Sequence, residues 1–277
     1  VKGLLRGTGF PTDPMNNWSF PKITLRTRRE VTLGSPDHLM PWGTRHDNSR
    51  NSRFNQKLYR LFSNVDAPLK VLDLGCSGGG FVKDCFDDGC LAVGLEGSDF
   101  SKKNLRAEWR TIPEFLFTCD VADDFEVLAQ TDPRQEPQLL QFDVVTCWEM
   151  MEHIQEQDIS NVALNVKKHL KSGGLWIMSI STKEETINGT RLHQTVQPMS
   201  WWLEQFRRLG FEHDEDYVRY FNTQFIRGPK QNAPGSFHLM LAVDKNKTPA
   251  IPAERWQGRL YDRWLGSLPQ RFLSGHL

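Results

Sequence analysis

The chain has 277 residues, of which 38% are hydrophobic and 25% charged, enough for one large α/β domain plus extensions. Its formal net charge is zero, but residues 1–60 carry +7, residues 61–216 carry −13 and residues 217–277 carry +6. No apolar run approaches ~18 residues, so a transmembrane helix is not expected, and no signal peptide is visible.

Residues 1–52 are rich in Pro, Asn, Arg and Gly and poor in periodicity, which predicts an extended arm with short turns. "RFNQKLYRLF" (53–62) has helical spacing at Phe54, Leu58, Leu61 and Phe62. "LKVLDLG" (69–75) is a short apolar run ending in Gly, the pattern of a buried parallel strand. "FVKDCFDDG" (81–89) predicts a helix closed by Gly. "CLAVGLEGS" (90–98) predicts a second strand, "SKKNLRAEW" (101–109) a helix with Ser101 as N-cap, and "EFLFTCDV" (114–121) a third strand. The polar stretch around "TDPRQEPQ" predicts a loop before a fourth strand, "QFDVVTCW" (141–148). "ISNVALNVKKHLKSGG" predicts a helix stopped by Gly-Gly, "LWIMSIS" a fifth strand and "MSWWLEQFRRLGF" (199–211) a further helix. "DYVRYF" (216–221) and "SFHLMLAVDK" (236–245) are the two closing strands. The alternation predicts a Rossmann-like, doubly wound, mostly parallel seven-stranded sheet over residues 55–245, with a late antiparallel strand. Residues 1–54 form its N-terminal arm. A basic C-terminal tail, 246–277, carries Trp256, Tyr261 and Trp264 and is expected to fold back as a helix.

The five cysteines form no CxxC pair and are odd in number, as expected of reduced thiols in a cytoplasmic compartment. The chain begins at Val1 without Met, which suits one domain of a larger multidomain protein. Its basic ends suit an anionic substrate or partner, or equally solvated flanks packed on an acidic middle.

"VLDLGCSGGG" (71–80) runs a strand into a Gly-rich turn where backbone can approach a ligand closely. It is not the GxGxxG fingerprint. Glu96 ends the second strand, where a carboxylate can accept both ribose hydroxyls. Asp120 ends the third, where a carboxylate can accept from an exocyclic amine or cap a turn. "FDVVTCWEMMEHI" (142–154) then follows in order. These segments together resemble the successive motifs of class I S-adenosylmethionine-dependent methyltransferases. The resemblance implies a cofactor site drawn from Asp73, Gly75, Cys76, Ser77, Gly78, Glu96, Gly97, Asp120, Val121 and Trp148. In it Gly75 and its neighbours pass the methionine part, Glu96 meets the ribose, and Asp120 and Val121 meet the adenine.

"WEMMEHI" places Glu149, Glu152 and His153 at i, i+3 and i+4, one face of a first helical turn at the carboxyl edge of the sheet. Two carboxylates and an imidazole suit Mg²⁺ or Mn²⁺. His193, in the loop after the fifth strand, is the best fourth ligand. ExxEH plus a later His is similar to the motif of metal-dependent O-methyltransferases of ubiquinone biosynthesis and of small-RNA 3′ ends. The resemblance implies metal ligands Glu149, Glu152, His153 and His193, with His153, His193 and Glu149 in the catalytic centre. The competing readings are a helix-start acid beside a packed histidine, and His193 as a general base without metal.

On the acceptor side, Arg45 or His46 of the arm could meet the methionine carboxylate, and Trp201 or Trp202 could line the acceptor pocket. A sugar or glycan hydroxyl is the preferred acceptor. An RNA 3′ end is not favoured, because no RNA-binding module is in view, and a catechol-type phenol is the third reading. A degenerate methyltransferase fold serving as a binding module is the non-enzyme alternative. No membrane partner is expected.

Overall fold

The computed structural model describes residues 20–66, 68–229, 233–253, 256–258 and 260. The arm supplies β1 (Lys22–Thr27), α1 (Pro36–Leu39) and α2 (Trp42–His46). Then come α3 (Ser52–Leu61), β2 (Lys70–Leu74), α4 (Gly80–Asp87), β3 (Leu91–Glu96), α5 (Phe100–Lys103) and β4 (Leu116–Thr118). β5 (Phe125–Gln130), β6 (Gln138–Leu139), β7 (Phe142–Trp148), α6 (Ile159–His169) and β8 (Leu170–Ser181) follow. The described chain closes with β9 (Thr186–Ile187), β10 (Thr190–Arg191), α7 (Met199–Arg208), β11 (Glu212–His213), α8 (Glu215–Phe221) and β12 (Ser236–Ala242).

The central sheet has seven strands in the order β11-β12-β8-β7-β2-β3-β4. β4, β3, β2, β7 and β8 are parallel; β12 pairs antiparallel with β8, and β11 antiparallel with β12 at the edge. β2, β3 and β7 are buried almost throughout, as strands covered on both faces must be. Registry shows the two layers. Val145 pairs with Trp176 and Trp148 with Ser179, so Trp176 and Trp148 point to opposite faces. On one face Phe206 of α7 packs on Trp176 with ring centroids 5.0 Å apart. On the other, Phe54 of α3 packs on Trp148 at 5.2 Å and on Phe221 of α8 at 4.9 Å. Helices therefore cover both faces, as the doubly wound pattern predicts.

Local expectations fail in informative places. β1 of the arm pairs antiparallel with β5, a strand inside the stretch read as a loop, and β6 completes a separate three-stranded sheet. "DYVRYF" is the helix α8, not a strand; the Asp214 side chain accepts from Asp216 N and caps it. Gly173 and Gly174 do not stop α6. They lie inside β8, where a register shift carries the strand past them. Ser101 is not an N-cap: α5 starts at Phe100 with Asp99 before it, and Ser101 is fully buried. The helix read over 101–109 is only four residues long, and Leu105 and Ala107 take positive φ before a 3-10 turn at Ala107–Arg110. Asn188-Gly189, both at positive φ, turn the β9–β10 hairpin.

All five cysteines are free and buried. Burial raises the thiols of Cys76, Cys85 and Cys147 well above their usual range, and those of Cys90 and Cys119 to about 12. Among the described residues no helix is long and apolar enough to cross a membrane. Tyr261 and Trp264 of the tail lie outside the described residues, and Trp256 is exposed.

Candidate functional site

A cavity of about 1290 Å³ opens along the carboxyl edge of the sheet. Its wall takes Gly75 after β2, Glu96 at the end of β3, Asp120 after β4, Trp148 at the end of β7 and Ser181 at the end of β8. Ligands bind at this edge in open α/β sheets. The arm lines the cavity through residues 31–37, 42–44 and 46–49.

The Gly-rich turn forms because its residues tolerate left-handed backbone. Gly75 and Gly79 have φ of +74° and +84°, and Ser77 adopts +49°. Gly75 N and Cys76 N both donate to Leu95 O (2.8 and 3.0 Å), which joins the turn to the end of β3. There Glu96 is nearly buried. Its Oε2 accepts from Ser77 N (2.8 Å), and its Oε1 accepts from Ser98 N (3.0 Å) and the Thr44 hydroxyl of the arm (3.4 Å). Burial raises the Glu96 carboxyl against these hydrogen bonds. Ser77, Gly97 and Val121 line the cavity beside it.

Of the other residues expected at the cofactor, Asp120 lines the same cavity, while Asp73, Cys76 and Gly78 are not on its wall. Asp73 and Cys76 border a separate small void of about 20 Å³ behind the turn. Asp73 Oδ1 accepts from the Thr146 hydroxyl (2.7 Å), and burial pushes its carboxyl up to about 8. Gly78 faces the arm: a side chain there would strike Asn48 Oδ1 at 2.4 Å and Arg106 Nη1 at 2.7 Å. Asp120 lines the cavity with both oxygens engaged, Oδ1 by Ala122 N (3.1 Å) and Oδ2 by Arg29 Nη1 (3.1 Å).

The segment "WEMMEHI" is not the first turn of an α-helix. Glu149 takes φ +50°, Met151–His153 is a 3-10 turn, and α6 begins only at Ile159. The three side chains therefore do not share a helical face. The 3-10 turn and the His193 loop are stitched together by Glu152 O, which accepts from Gln194 N (2.7 Å) and Thr195 N (2.9 Å). As a result Glu152, His153 and His193 bring ligand atoms within 4.8 Å of one another. The His153 and His193 rings meet edge to face, with centroids 4.7 Å apart.

Glu149 stands outside this group, and its Oε2 accepts from the Ser236 hydroxyl (2.6 Å). Glu152 is fully buried. Ser181 N holds its Oε1 (3.0 Å), while Oε2 has no hydrogen-bond partner. Burial and the neighbouring Glu149 push Glu152 up to about 8. Burial alone would lower His153, but Asp37, Glu152 and Glu185 outweigh it and carry the imidazole up to about 9. Burial and His153 lower His193. His193 Nδ1 donates to Lys183 O (2.5 Å), and its Nε2 lies 3.2 Å from Glu185 Oε2.

A buried carboxylate oxygen without a partner beside two imidazoles fits a divalent cation, whose charge would offset the raised carboxyl. Two imidazoles and one carboxylate form a softer donor set than the sequence implied, and one that suits Mn²⁺ or another transition metal better than Mg²⁺.

The arm supplies residues that motif reading passed over. Asp37 Oδ1 lies 2.8 Å from His153 Nδ1, and Thr44 reaches Glu96. Ser35-Pro36, an N-cap followed by a helix-first proline, was the signal for the helix that carries Asp37. Arg45 lies over the Phe100 ring at 4.8 Å, and His46 packs on Trp42 at 4.4 Å. Trp201 and Trp202 do not line the cavity. Trp202 is fully buried against Phe206, and Trp201 packs beside it. The aromatic wall is instead Trp42, about half exposed, with Trp148 deeper in.

A family described as "Methyltransferase domain" matches residues 45–227. A ubiquinone biosynthesis O-methyltransferase of Rickettsia conorii is 26% identical over 171 residues, covering 60% of this chain and 53% of that protein. One from Thiobacillus denitrificans is 32% identical over 115 residues, covering 40% of this chain and 44% of that protein. The chain thus spans about half the length of these curated relatives. Among solved structures, the 1,6-didemethyltoxoflavin-N1-methyltransferase of Burkholderia thailandensis aligns with a TM-score of 0.48 at 14% identity. That alignment covers 74% of this chain and 83% of that one.

Proposed function

The chain belongs to the methyltransferase domain family, and from that premise we propose that it transfers the methyl group of S-adenosylmethionine to a hydroxyl of a sugar-like acceptor, assisted by a divalent cation. The observation that carries this reading is the Glu152–His153–His193 group, whose two histidines line the same cavity as Glu96 while Glu152 is buried behind them.

The cavity wall carries nine Asp or Glu residues against three Lys or Arg. Such a wall attracts a sulfonium and a metal ion and repels phosphates. It therefore disfavours an RNA 3′ end. Its many acceptor oxygens suit the hydroxyl donors of a polyol, and Trp42 offers a ring face for a sugar. Glu96 is placed to accept ribose hydroxyls, with Ser77 N and Ser98 N holding it in position.

The methyl donor is already activated, so the protein's work is positioning and proton removal. As the acceptor oxygen bonds to the methyl carbon, the carbon–sulfur bond breaks and the acceptor proton must leave. His193 Nε2, its tautomer set by Lys183 O, can take that proton only while it does not ligate a cation; with a cation bound, the lowered acceptor pKa would let the proton leave to solvent. A bound cation would lower the acceptor's pKa and orient it, held by Glu152, His153 and His193.

The second reading is a catechol-type acceptor, favoured by the name of the curated relatives. A methyl-transfer assay with labelled donor, run over glycans, short RNAs and catechols with and without chelator, separates the readings. Glycan methylation that stops in chelator and returns with Mn²⁺ is expected. Undiminished turnover in excess chelator would remove the cation from the proposal.

A further inference from the structure

Two histidines of the candidate cation group have one ring nitrogen committed elsewhere. His193 Nδ1 is fixed by the backbone carbonyl of Lys183, 2.5 Å away. His153 Nδ1 has no backbone partner. It faces Asp37 Oδ1 at 2.8 Å, a charge contact not aligned as a hydrogen bond. At 2.8 Å a lone pair on Nδ1 would face the charge of the Asp37 carboxylate, so the pairing favours the tautomer with the proton on Nδ1. The other nitrogen, Nε2, is then the one free to ligate. Metal-binding histidines recur with a carboxylate or carbonyl in this role, and that partner sets both tautomer and orientation.

Asp37 does not come from the sheet. It sits on α1, in an arm that also places Thr44 on Glu96 and donates Thr32 N to Gly97 O (3.0 Å). One chain segment thus touches the acid on the donor side and the imidazole on the acceptor side.

We propose that Asp37 is a positioning residue for His153, through which the arm governs how tightly the Glu152–His153–His193 group holds a divalent transition-metal cation. This rests on the cation reading above. Asp37 acts through His153 and does not itself touch the acceptor. Cation affinity should fall when Asp37 is removed, while donor affinity, which runs through Glu96, should stay. A purely structural role in pinning the arm would instead weaken donor binding and lower thermal stability together.

The test is titration of the full chain with MnCl₂, following free Mn²⁺ by electron paramagnetic resonance, beside calorimetry with S-adenosylmethionine. The Asp37→Ala protein should bind Mn²⁺ about 10–100-fold more weakly, with the donor dissociation constant within about twofold. Asp37→Glu should recover part of the loss. Asp37→Asn, nearly isosteric, should fall between and covers the case in which the alanine protein does not fold. Mn²⁺ affinity within about threefold of wild type in both Asp37→Ala and Asp37→Asn would overturn the inference and leave the cation group standing. If wild type and His153→Ala alike fail to take up Mn²⁺, the cation reading falls and the role of Asp37 falls with it.

Discussion

The two sides of the cavity are built differently. The side proposed for the donor is almost local in sequence: β2, the Gly-rich turn and the end of β3 lie within residues 70–98, and Gly75, Cys76 and Ser77 reach Glu96 and Leu95 through backbone amides. The acceptor side gathers Asp37, Glu152, His153, His193 and Ser236 from four distant segments. A local site needs one strand–turn–helix unit to form. A gathered site needs the arm, the 3-10 turn and the post-β8 loop all docked, so its geometry is more open to disruption.

The hardest blow to this contrast would come from Glu152→Ala and His193→Ala. Each should lower turnover by on the order of 10²–10⁴-fold while donor affinity, measured by calorimetry, changes by less than about twofold. Loss of donor binding in either would show the two sides to be one unit. Trp202→Ala should cost about 3–5 kcal/mol of stability in denaturant melts, as for other buried aromatics. Loss of turnover without loss of stability would instead return Trp202 to the acceptor wall. Glu96→Gln should weaken donor binding about 10-fold by removing charge from its hydrogen bonds, roughly 1.4 kcal/mol. Turnover at saturating donor should be preserved.

The smallest effect is on pH dependence. His238, which donates Nε2–H to Arg227 O (2.7 Å) and stacks on Phe225, is lowered by burial to about 4. Its unfolded value is about 6.5. The unfolded chain therefore binds more protons as pH falls from about 6.5 to 4, and stability declines across that window. His169, whose Nε2 accepts from Val127 N (3.0 Å), is lowered by burial and adds in the same direction. Asp73 and Glu152, raised to about 8, titrate in the opposite sense, so the effect is read as a difference: in thermal melts from pH 7 to 4.5 wild type should lose stability relative to His238→Phe.

The sequence showed the sheet well because β2, β3 and β7 are short, mostly apolar runs ending at Gly or an acid, a pattern set by burial on both faces. It misread what depends on partners. β5 reads as polar loop until β1 is laid beside it. α8 is rich in the strand-favouring residues Tyr, Val and Phe, yet Asp214 caps it and Tyr217, Tyr220 and Phe221 bury one side. The acids and histidines of "WEMMEHI" and His193 were visible as chemistry. Their arrangement was not, because it depends on the left-handed backbone at Glu149 and on two hydrogen bonds to Glu152 O. Asp37 was invisible because nothing in its own segment points at His153.

The five buried thiols have a practical consequence. A thiolate is the reactive form, and burial holds every cysteine of this chain out of that form while the domain is closed. Alkylation can therefore proceed only through opening, and its rate becomes a clock for that opening. Cys76 sits beside the donor turn, Cys119 under the arm's sheet and Cys147 at the end of β7. Mass spectrometry of which thiol is labelled first would rank these regions by how often each comes apart, with no probe added to the chain.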